Sequence, residues 1–133
     1  MFTKIHNVVI AVNNLEEAVK QYTDSLGLKV SKSGPLPHLG IKNAFFPIGD
    51  AVLELIEPLD HEKGPVANAL KSRGEGLYMI ELEVKDVDGA VQELTKKGVR
   101  LLNADPASRA KGAAVFIHPQ STKGVLIQLV KKA

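Results

Sequence analysis

The chain contains no cysteine. That excludes disulfides, thiolate nucleophiles and every cysteine-based zinc or iron–sulfur site, so metal chemistry would fall to His, Asp, Glu or amide oxygens. No charge of one sign dominates either. Seventeen Lys plus Arg against fifteen Asp plus Glu leave a formal +2, interspersed along the chain, and the electrostatic footprint of a nucleic-acid binder is missing. Apolar runs extend only a few residues, far short of the roughly 20 needed to span a bilayer. Met1-Phe2-Thr3-Lys4 lacks a signal peptide's apolar core, so a cytoplasmic chain with no membrane partner is expected. P-loop, dinucleotide-binding, HExxH, nucleophile-elbow and EF-hand motifs are absent as well. What remains is 133 residues, 44% hydrophobic and 24% charged, enough for one domain, 1–133, with a buried core.

Ile5 to Val12 is β-branched and apolar and ends at Asn13-Asn14, which predicts a strand followed by a helix cap. Leu15, Ala18, Val19, Tyr22 and Leu26 then recur at helical spacing, Asn14 with Glu17 can form a capping box, and Gly27 supplies the stop. Gly34 to Gly40 is too rich in Pro and Gly for a central strand and is expected as a rim loop. Strands are expected over Lys42 to Phe46 and Ala51 to Glu57 with a turn at Gly49-Asp50, then a short helix over Pro65 to Ser72. Leu77 to Val84 begins the order again, with Ile80, Leu82 and Val84 on one face and Glu81 and Glu83 on the other. Asp86 or Asp88 can cap a helix ended by Gly98. Strand-like stretches follow at Val99 to Leu102, Ala113 to His118 and Gly124 to Val130.

Laying Val12 over Val84 also superposes Asn14 on Asp86, Leu15 on Val87, Ala18 on Ala90 and Val19 on Val91. The expectation is an α+β fold built from two β-α-β-β-β modules, about 1–60 and 74–133.

Several segments then resemble the vicinal oxygen chelate superfamily, which holds glyoxalase I, bleomycin-resistance proteins, ring-cleaving dioxygenases and methylmalonyl-CoA epimerases. They are Ile10 to Ala18, Tyr22 with Leu26-Gly27-Leu28, Leu53 to Leu59, Arg73 to Leu77, Lys97 to Leu101, and His118-Pro119 through Gly124 to Ile127. The epimerase branch is the most similar. The resemblance implies paired modules forming a curved mixed sheet, helices outside, a ligand cup inside, and a homodimer. It also implies a divalent metal held by two histidines, a Gln or Glu, and a Glu. Those positions fall on Asn7, Glu54, Met79 and Gln128, so only Glu54 keeps both charge and ligand character. His6 is one step from the first position and is expected to point the other way.

With these ligands altered, no cofactor and no metal ligand is expected. Co, Zn, Mn or Ni would enter only if the altered site still bound it. Asn7, Met79 and Gln128 offer a neutral recognition surface for a small carboxylate, thioester or acyl-CoA, or else fill a closed core. Glu54 is a base candidate or a buried structural acid. His38 in the rim loop and His118 at a strand end are the other catalytic candidates. An exposed loop residue and a backbone hydrogen bond, respectively, are their structural alternatives. Glu81 shares the face of Met79, and Arg109 and Lys111 could meet acyl-CoA phosphates. The sequence thus favours a diverged, epimerase-like binding protein over an active metal-dependent epimerase, isomerase or lyase. An interaction protein with a filled cup is the third reading, and whether the chain catalyses anything is left open.

Overall fold

The structure, a computed structural model, describes all residues from Met1 to Ala133. Two compact units emerge, Asn7–Tyr78 and Met1–His6 with Met79–Ala133. The first strand, β1 (Phe2–Ala11), therefore contributes its two halves to different units. The secondary structure follows the duplicated β-α-β-β-β order, giving an α+β fold of mixed sheet flanked by helices.

In the Asn7–Tyr78 unit, β1 leads into α1 (Leu15–Leu26), β2 (Lys32–Leu36), a 3-10 turn (Pro37–Leu39), β3 (Ile41–Ile48), β4 (Ala51–Pro58) and α2 (Pro65–Arg73). Strand order is β2-β3-β4-β1, antiparallel except for the parallel β4–β1 pair. Helix α1 starts where expected because Asn14 accepts a hydrogen bond from the Glu17 N–H at 3.0 Å. It stops at Gly27, whose φ of 68° suits a residue without a Cβ. A second device at the helix start was not anticipated: the buried Glu57 carboxylate accepts the Leu15 N–H at 2.7 Å, placing negative charge at the positive end of the helix dipole. We expect Asn14→Ala to cost about 1 kcal/mol of unfolding free energy. Denaturant titration would show it, and an unchanged midpoint would mean that Glu57 alone suffices. The apolar face of α1 packs Leu15 and Ala18 against Ala44, Phe46 and Leu55.

Gly34 to Leu36 corrects the expected rim loop, since β2 pairs antiparallel with β3 and only Pro37–Leu39 forms the turn. Proline is tolerated there because β2 lies at the end of the strand order, where a missing N–H need not break a ladder. The β3–β4 hairpin turns at Gly49-Asp50 as predicted.

In the other unit, the first half of β1 is followed in strand order by β5 (Gly76–Val84), β8 (Ile127–Lys131), β7 (Val115–Ile117) and β6 (Leu101–Leu102). The Thr3 hydroxyl donates to Glu83 Oε1 at 2.6 Å, fixing the N-terminal segment in this unit. Helix α3 (Val87–Lys96) is capped by Asp86, not Asp88, through the Gly89 N–H at 3.1 Å, and buries Ala90 and Leu94 against Val84, Val115, Ile117 and Leu129. A short helix, α4 (Pro106–Ala110), was not foreseen. At five residues it carries no apolar periodicity, and only its cap, Asp105, marks it. The Ser108 hydroxyl and N–H hold the Asp105 carboxyl below the usual aspartate range. Its contribution to α4 is therefore present above the unfolded-state pKa and lost as pH falls through the lower folded value. We expect the protection of the Ser108 amide, its exchange rate measured against the intrinsic rate at the same pH, to fall on acidification in the native protein and to be low at all pH values in Asp105→Ala.

Candidate functional site

Strand alternation sorts the β3–β4–β1 segment into two faces. Ala44, Phe46, Leu53 and Leu55 point to α1, so Asn7, Val9, Asn43, Phe45, Val52, Glu54 and Ile56 line the opposite face. Glu54 stands between Val9 of β1 and Phe45 of β3 in the register. Its Oε1 accepts from Asn7 Nδ2 at 3.0 Å and its Oε2 from Asn43 Nδ2 at 3.1 Å. All three side chains are buried, at 4%, 4% and 7% exposure for Asn7, Asn43 and Glu54. A carboxylate removed from water needs such donors, because charge without partners is far costlier to bury than an amide. The Asn7 amide is left with its Oδ1 buried and without a hydrogen-bond partner.

Two residues further along the same face, Ile41 and Pro58 are partners in the register. They open a groove of about 380 Å³, lined also by Leu39, Leu59 and Val66, with Asp60 and Lys63 among its polar residues. The start of α2 closes one side, Pro65 occupying the first helical position where its missing N–H breaks no bond. His38 lies in the bordering 3-10 turn but is exposed, and its neighbours Pro37 and Leu39, not its imidazole, line the groove.

In the other unit, Glu81 and Gln128 are partners across β5 and β8, on the face opposite Val84 and Leu129 by alternation, and Met79 shares that face. His6, expected to point elsewhere, stands with Nδ1 3.4 Å from Glu81 Oε1, within ion-pair range but without a hydrogen bond. His118 is used at the sheet margin, where its Nδ1 accepts from the Gln120 N–H at 2.9 Å and caps the turn at Pro119–Ser121. Arg109 is paired with Asp88 at 3.0 Å, while Lys111 is exposed at the end of α4. Among the sequence-derived candidates, Asn7 and Glu54 are brought into hydrogen-bond contact, whereas His38 stays outside their cluster. Asn43 was missed as a partner. Its position follows from the β3–β4 register, which alternation within Lys42 to Phe46 cannot supply without knowing the hairpin pairing.

These residues do not fit a divalent metal centre of the kind the resemblance implies. Asn7 turns an N–H donor, not an oxygen, toward Glu54, and both carboxylate oxygens already accept from amides. A cation there would meet positively polarised N–H groups. No three His, Cys, Asp or Glu side chains gather in a metal-holding group. Met79, in the other unit, is a thioether with little affinity for hard ions. No helix of the structure is long and apolar enough to cross a membrane.

Residues 6–116 match the sequence profile of the Glyoxalase/Bleomycin resistance protein/Dioxygenase superfamily. The chain is 37% identical over 128 residues to the mitochondrial methylmalonyl-CoA epimerase of Homo sapiens, covering 95% of this chain and 72% of that protein. Its fold is similar to a hypothetical protein from Bacillus halodurans C-125, with a TM-score of 0.87 and 37% identity over 98% of this chain and 94% of that one. It is also similar to a methylmalonyl-CoA epimerase in complex with methylmalonyl-CoA and NH4+, with a TM-score of 0.85 and 29% identity over 100% of this chain and 96% of that one. Duplicated module, matched profile and shared fold agree: the chain belongs to the glyoxalase/bleomycin resistance protein/dioxygenase superfamily, where its relatives include methylmalonyl-CoA epimerases.

Proposed function

We propose that the protein binds an acyl-CoA-type thioester without a tightly held divalent metal, with the acyl end directed along the groove toward the Asn7–Glu54–Asn43 cluster. The observation that carries this reading is the buried, hydrogen-bonded carboxylate of Glu54, on the same two strands that bring Ile41 and Pro58 to an apolar groove. Apolar walls with a few convergent polar groups are what a small-molecule site requires. Lys63, at the groove and without an ion pair, supplies a cation for the ligand's phosphates. The complex of one similar epimerase with methylmalonyl-CoA supports the ligand class. Pairing of two chains into a homodimer belongs to the same proposal, and light scattering should give twice the 14.3 kDa chain mass.

Epimerisation is the weaker reading, because two-base epimerisation needs a second acid on the opposite face and Glu54 is the one carboxylate in its cluster.

Calorimetric titration with propionyl-CoA should give saturable binding that is unchanged by EDTA. A flat titration would remove the proposal. Exchange of the methylmalonyl-CoA α-proton into heavy water, with Co²⁺ present, should not exceed the uncatalysed rate. Exchange that is abolished by Glu54→Gln would instead establish the epimerase.

A further inference from the structure

The turn after β2 and the loop after β4 bring Leu39 and Leu59 to one groove, where they remain 61% and 46% exposed. Lone exposed leucines are ordinary, but two on one apolar groove mark a surface that a ligand can cover. The walls are braced. The Leu59 N–H donates to the Gly40 carbonyl at 2.9 Å, tying loop to turn, and His61 Nε2 stands 2.8 Å from Oε2 of the buried Glu57. Lys71 Nζ donates to the Glu62 carbonyl at 3.0 Å, and Pro65 stiffens the backbone where α2 begins. Between these walls lie about 380 Å³.

The charged side chains of this loop are not equivalent. Asp60 Oδ1 is turned to its own loop, accepting the Glu62 N–H at 2.8 Å, and the Glu62 carboxylate pairs with Lys71 at 3.2 Å. Lys63 lines the groove without an ion pair. The groove thus offers apolar walls and one available cation, the complement of an apolar chain on an anionic carrier.

We infer that the groove takes the acyl chain of a medium-chain acyl-CoA, apolar over about six to eight carbons, with Lys63 drawing the anionic carrier. The inference rests on the acyl-thioester reading above and names its acyl class. A dry cavity of about 150 Å³ is enough to hold benzene. The groove has more than twice that volume, so a propionyl group would leave most of its apolar wall in water, whereas a chain of about eight carbons would cover it.

Propionyl-, hexanoyl-, octanoyl- and dodecanoyl-CoA, and free octanoate, titrated calorimetrically against the full chain in EDTA, test this. A fully buried methylene is worth about fourfold in affinity, and about twofold is expected in a groove open to water on one side. Hexanoyl-CoA should bind about eightfold, and octanoyl-CoA about thirtyfold, more tightly than propionyl-CoA, with no further gain for dodecanoyl-CoA. Leu39→Ser, on the exposed turn, should cut the octanoyl-to-propionyl ratio below about tenfold. Lys63→Gln should weaken all four thioesters by about threefold and keep their ratios. In the 13C-labelled protein, the Leu39 and Val66 methyl resonances should move with octanoyl-CoA and stay in place with free CoA. Equal affinities across the series, a gain continuing to dodecanoyl-CoA, an unaltered ratio in Leu39→Ser, or unmoved methyls would overturn the inference while leaving thioester binding intact. Octanoate binding as tightly as octanoyl-CoA would assign the groove to a free fatty acid and overturn it as well. Failure of all four thioesters to bind would overturn the functional proposal and this inference together.

Discussion

Glu54→Leu should lower the free energy of unfolding by about 4 kcal/mol, because it leaves two buried amide donors without an acceptor at about 2 kcal/mol each. With a urea m-value of about 2 kcal/mol/M, the midpoint should fall by about 2 M at unchanged slope. Glu54→Gln, which keeps one acceptor oxygen, should lose about half as much. The diagnostic comparison is the triple variant Asn7→Leu, Glu54→Leu, Asn43→Leu. Removing every partner at once leaves nothing unpaired, so most of the stability should return while thioester binding stays lost. A single Glu54→Leu variant as stable as the native protein would mean that the 3.0 and 3.1 Å bonds do not exist in solution. Recovery of stability without function would identify the cluster as one retained at a thermodynamic cost for what it recognises.

Phe46→Ala should be comparably severe, costing about 3–5 kcal/mol. Phe46 is fully buried, and its ring lies 6.0 Å from that of Tyr22 at 34°, tying β3 to the apolar stripe of α1. The cavity left by a benzyl group can close only if α1 moves, and α1 is held at its start by both Asn14 and Glu57. The neighbouring Tyr22→Leu keeps most of the apolar volume and should cost about 1 kcal/mol, the ring-pair contribution. With domains of this size stable by about 5–15 kcal/mol, Phe46→Ala should remove a third or more of the margin. Thermal unfolding of the two variants checks the ranking, and equal losses would mean that the ring pair, not the buried volume, holds α1.

Features fixed by neighbours in sequence were legible. Asn14 and Asp86 cap their helices as the duplicated pattern predicts, since a cap needs only the N–H three residues on. The face of Glu54 was legible too, because Leu53 and Leu55 could only belong to the helix side of a two-residue alternation. Features fixed by partners far along the chain were not. Asn43 joins Glu54 through the hairpin register, Glu57 reaches α1 from another strand, and His6 finds Glu81 across 75 residues, the difference between the two positions. Gly34-Pro35 reads as a loop because composition does not reveal whether a strand lies at an edge, the one place where proline is harmless.

The division of β1 at His6 and Asn7 has a practical consequence for anyone dissecting the molecule. A protease nick or gene truncation between residues 78 and 79 does not yield two intact halves, because the fragment 1–78 carries away the strip that Glu83 anchors through Thr3. Separate expression of the halves would require moving residues 1–6 onto the end of the other piece, a cut-and-paste rearrangement instead of a single incision. The repeat that looks tandem on paper has no single point of division along the polypeptide, because its opening six residues pack with the later module.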